Sequence, residues 1–120
     1  MRRSVAALLI VLCAGSWAAP AFARSETVTG EVISLSCYFQ NKANVGQAGL
    51  LCAIATVKWE ANPAGVLTAD GKVYQLAGGL VANNNAKVVP LLGHIVTVTG
   101  DVSVKHGMPV ISADQAVLVK

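Results

Sequence analysis

Beyond its first 23 residues the chain carries few groups able to do chemistry: Cys37, Cys52, His94, His106 and Met108 stand out. The cysteines are about 15 residues apart, and bridging a loop of that length is worth roughly 3 kcal/mol on the chain-entropy view. A structural disulfide is the favoured reading, with a reactive or metal-binding thiol pair as its alternative. His106-Gly107-Met108 places an imidazole and a thioether at i and i+2 beside a turn, a donor pair that suits copper. A copper-binding or copper-carrying role is therefore the second functional reading; the first requires no cofactor. Catalysis needs a nucleophile, a base and a stabiliser that converge. Neither histidine lies in a catalytic motif, and Asp101 beside either one leaves the serine unmarked, so the chain is read as no enzyme. Tyr38, Phe39, Lys58 and Trp59 combine apolar area with polar handles and form the candidate ligand-binding surface. The blander reading is that these four cover an open end of the core.

Strands must position these groups. Residues 27–38 read as a strand in which Val28, Gly30 and Val32 alternate before the phase shifts to Ile33, Leu35 and Cys37, as a bulge beside a glycine would do. Residues 95–104 form a second long strand with Val96, Val98, Gly100, Val102 and Val104 on one face. Both contain nearly the same words, Thr27-Val28-Thr29-Gly30-Glu31-Val32 and Thr97-Val98-Thr99-Gly100-Asp101-Val102. Shared wording suggests shared geometry: two coiled, adjacent strands, each with a glycine where backbone comes close. Asp70-Gly71 predicts a two-residue type I′ hairpin between residues 66–69 and 72–76. Asn83-Asn84-Asn85 offers caps for a short helix over residues 86–92, interrupted by Pro90 and closed by Gly93. Residues 110–111 and 116–119 supply the fifth strand. Over residues 49–60, Leu50, Ile54 and Val57 have helical spacing, while residues 53–57 suit a strand as well. A helix is favoured there, with Cys37 at a strand end stapled to Cys52 in its first turns over one mouth of a barrel.

The start of the chain reads as a cleavable secretory signal: Arg2 and Arg3, an apolar run from Val5 to Trp17, then small residues ending at Ala23. The run is shorter than the roughly 20 residues that span a bilayer, so no stable membrane anchor is expected after cleavage. Residues 24–120 would remain as one domain of roughly 97 residues, periplasmic or secreted, where disulfides persist. Arg2 and Arg3 are two of the nine basic residues, and the rest nearly balance the six acids. So neutral a domain lacks the electrostatic footprint of a nucleic-acid binder.

Gly30-Glu31-Val32 running to Cys37-Tyr38, then Cys52-Ala53, Pro63-Ala64-Gly65-Val66-Leu67-Thr68, Asp70-Gly71, Tyr74 and the stretch from Gly93 to Gly100 occur in an informative order. In these elements the chain resembles small secreted bacterial proteins with barrels of the oligonucleotide/oligosaccharide-binding (OB) type. The resemblance implies a mainly β fold, a small five-stranded OB-like barrel with one or two short helices, and names no activity. Such proteins often carry a further cysteine after the Cys-Ala pair; Thr56 stands in that neighbourhood here, which argues against a thiolate metal site. The partner expected is an envelope protein or a small ligand.

Overall fold

The computed structural model describes residues 24–119; the signal segment expected at residues 1–23 and the terminal Lys120 lie outside the described residues. Strand β1 (Arg24–Ser34) pairs antiparallel with β2 (Ala64–Thr68), which pairs with β3 (Val73–Ala77). Strand β4 (Ile95–Lys105) pairs with β5 (Met108–Ser112) and closes the sheet onto β1. A parallel β3–β5 ladder completes a closed five-stranded barrel with the strand connectivity of the OB type. One extra strand, β6 (Ala116–Leu118), continues along β4.

The repeated words lie side by side. Val28 faces Val98, Thr27 faces Thr99 and Thr29 faces Thr97. Both threonine pairs join hydroxyl to hydroxyl at 2.9 Å, while Val28, Val96 and Val98 turn into the core. Antiparallel pairing of two copies of one alternating word sends like residues to like faces. The glycines carry the close approaches. A Cβ on Gly30 would sit 2.3 Å from the Leu67 carbonyl oxygen of β2, and one on Gly100 would sit 2.1 Å from that of Ser112 in β5.

The phase shift after Val32 has a different cause from the expected bulge. The strand ends at Ser34 and the chain enters helix α1 (Leu35–Gln40), so Cys37 and Tyr38 are helical. Ser34 caps that helix by accepting from the Cys37 N–H. Helix α2 (Gly46–Ala53) follows and runs on as a π-helix over Ile54–Trp59. The favoured helix over residues 49–60 is therefore present, and Cys52 sits in its second turn. Its first N–H, on Gly46, donates to the Glu31 carboxylate of β1, an anion at the positive end of the helix.

Three connections differ from expectation. Leu67 pairs with Val73, and the Thr68 N–H donates to the Lys72 carbonyl across Ala69-Asp70-Gly71, which makes a three-residue turn with only Gly71 left-handed. The two-residue turn with two left-handed residues occurs instead at His106-Gly107, between Lys105 and Met108. No regular helix spans residues 86–92. Asn83, Asn84 and Asn85 all adopt left-handed backbone, which asparagine tolerates, and only 3₁₀ turns at Gly78–Val81 and Val89–Leu91 flank them. Strand five is broken after Ser112, so that residues 116–119 yield β6 rather than its continuation.

Candidate functional site

α1, α2 and the π-helix close one mouth of the barrel. Ala53 and Val57 belong to the same buried cluster as Val32, Val66, Val96 and Ile111. The cap is held at its hinge by the Cys37–Cys52 disulfide, with Cα atoms 6.2 Å apart and Cys37 fully buried. Beside it, the Thr56 hydroxyl reaches the Cys52 carbonyl at 3.0 Å, lies 2.7 Å from the Ser34 hydroxyl and is 3.5 Å from the Cys37 sulfur. Thr56 thus ties strand end, staple and helix together. A threonine hydroxyl that takes an i−4 carbonyl loosens the helical ladder, and the α-to-π transition falls within this turn. Buried Asn85 secures the far end, its amide donating to the Val57 carbonyl at 3.1 Å and the Asn62 carbonyl at 3.2 Å.

The winding decides what the cap presents. In an α-helix, steps of four residues drift forward around the axis; in a π-helix they drift back. Across the junction the two drifts offset each other, so Leu51, Ala55 and Trp59 stay on one outward meridian, opposite Ala53 and Val57. Leu51 is 84% and Trp59 73% exposed, and Ala55 is exposed between them. The Lys58 ammonium lies 4.7 Å from the centre of the Trp59 ring, a cation–π contact. On α1, Tyr38 is half-buried and Phe39 is 52% exposed, their rings 5.6 Å apart and tilted.

The four candidate surface residues therefore form two pairs, Tyr38 with Phe39 and Lys58 with Trp59, on two helices joined by the staple. Leu51, the most exposed large apolar side chain described, is not among those four. Its spacing to Ala55 and Trp59 is visible in the sequence, but becomes a stripe only once Ala53 and Val57 are known to point inward.

The other candidates lie elsewhere. His106 occupies the exposed tip of the β4–β5 hairpin, with Met108 half-buried at its exit. This is the barrel end opposite the cap, because β4 starts beside the cap end of β1 and runs away from it. The sulfurs of Cys37 and Cys52 are bonded to each other, which removes both thiolates from a metal site. Among the described residues no three His, Cys, Asp or Glu side chains group as metal ligands. Nor is any described helix long and apolar enough to cross a membrane. No family model, curated protein or solved structure matches the chain.

Proposed function

We propose that the chain is a noncatalytic binding module of the bacterial cell envelope, exported to the periplasm or beyond, and one of the small secreted barrels its sequence resembles. Its docking surface is the outer face of the cap, and its occupant is another envelope protein. The observation that carries this reading is the exposed Leu51, Ala55 and Trp59 stripe, flanked by Lys58, on a helix fixed by a disulfide. Tryptophan anchors are enriched among the residues that dominate protein interfaces, and a rigid support lowers the entropy lost on docking. A protruding helix face fits a protein partner better than a small molecule, which needs a concavity. Phe39 on α1 would extend the contact.

A photo-reactive side chain placed at Ala55, in cells that produce the protein, tests this directly. One defined protein adduct is expected from position 55 and none from a control at exposed Ser103 on β4. Equal adducts from both positions, or none from position 55, would refute the assignment.

A further inference from the structure

Strand β6 and the β3–β4 connection leave between them a groove of about 410 Å³, formed by the break in strand five. There the Ala113 N–H donates to the Ala77 carbonyl at 3.1 Å, and its own carbonyl accepts from the Leu80 N–H at 2.9 Å. Ala113 is thereby drawn toward β3. Pairing with β4 resumes only at Ala116 opposite Val98, and the gap opens alongside. Pro90, Leu91 and Ala116 form apolar walls over the buried Leu80, with Lys87 and Gln115 supplying the polar groups.

Lys87 is the informative residue. Its ammonium donates to the Asp114 carbonyl at 3.3 Å, which fixes it at the groove. The one ion pair among the described residues joins Arg24 to Glu26, so none of the described carboxylates lies within 4.0 Å of the Lys87 ammonium. The Asp114 carboxylate lies instead against Gly79. An ammonium with donors to spare beside an apolar wall complements a ligand that has an anionic head and an apolar tail.

We propose that this groove binds a small amphipathic carboxylate, its head on Lys87 with the Gln115 amide beside it, and its tail against Pro90, Leu91 and Ala116. The volume lies within the ~300–1,000 Å³ usual for small-molecule sites. The site is independent of the cap: neither Leu51 nor Trp59 lines it.

Octanoate and octanol, which share a tail and differ in charge, are the probes. Titrated into the disulfide-bonded protein and followed by amide chemical shifts, octanoate is expected to saturate one site centred on residues 80–91 and 115–116. Octanol should bind roughly tenfold more weakly, the factor expected for one charge-assisted hydrogen bond. Lys87→Gln, at an exposed position, should bring octanoate down to the octanol level, and Trp59→Ala should change neither. Equal affinity for the two probes, unchanged octanoate binding in Lys87→Gln, shifts centred on the cap, or no saturable binding would each overturn the proposal.

Discussion

Gly30 and Gly100 are the side-chain-free points on which the barrel closes, and replacing them separates steric need from conformational preference. Alanine at either would drive a Cβ into a neighbouring strand's carbonyl at little over 2 Å, a contact that only backbone movement relieves. Each variant is expected to lose about 3 kcal/mol or more in urea unfolding. Gly107→Ala, where the φ of +80° is the only obstacle and nothing lies within 4 Å, should lose about 1 kcal/mol. A second residue-scale expectation concerns pH. The Thr68 hydroxyl donates to the Asp70 carboxylate and holds its pKa below the ordinary carboxylate value. Stability from a lowered pKa is present above the ordinary value and is lost as the pH falls through the lowered one. Thr68→Val should therefore differ most from the parent at pH 7, and the gap in urea midpoints should narrow at pH 2; a gap constant with pH would show that the carboxylate is not involved. The glycines were readable beforehand, since the repeated words implied a shared duty. The turn at Asp70-Gly71 is one residue longer than its sequence suggests, because an Asp-Gly pair serves two-residue and three-residue loops alike, and only the pairing of Leu67 with Val73 decides between them.

At the scale of elements, the disulfide fixes the cap while the threonine hydroxyl shapes it. Removing the bridge with Cys37→Ser and Cys52→Ser together should cost about 3 kcal/mol, the amount for a loop of 15 residues. Amide hydrogen exchange should show the loss concentrated in residues 35–59, with β1 and β4 still the most protected; a uniform loss of protection would mean that cap and barrel unfold as one unit. The sequence revealed that the segment between the cysteines covers the barrel. It concealed that residues 35–40 are helical, because Ile33, Leu35 and Cys37 keep a strand-like alternation into the helix that Ser34 caps. It also concealed the linker, where left-handed asparagines displaced the expected helix: Asn85 is worth more to the fold as a buried donor to Val57 and Asn62 than as a helix cap. The split of strand five depends on Ala113 bonding to Ala77 and Leu80, long-range pairings that local pattern does not encode.

For the whole molecule, the two ends of the barrel have different characters. The cap end carries the apolar stripe; the opposite end carries tight, polar hairpin turns that include His106. The compartment assignment is consistent with the disulfide, which oxidising surroundings preserve. Leu51 and Trp59 contribute little to the core, so Leu51→Asp should leave unfolding stability within about 0.5 kcal/mol of the parent. This separates a docking role from a structural one. The most direct measurement is the yield of protein adduct from the photo-reactive side chain at Ala55 in cells that carry Leu51→Asp. Loss of the adduct from a fully folded variant is the expected result; an adduct at the parental yield would contradict the assignment of this face as the docking surface.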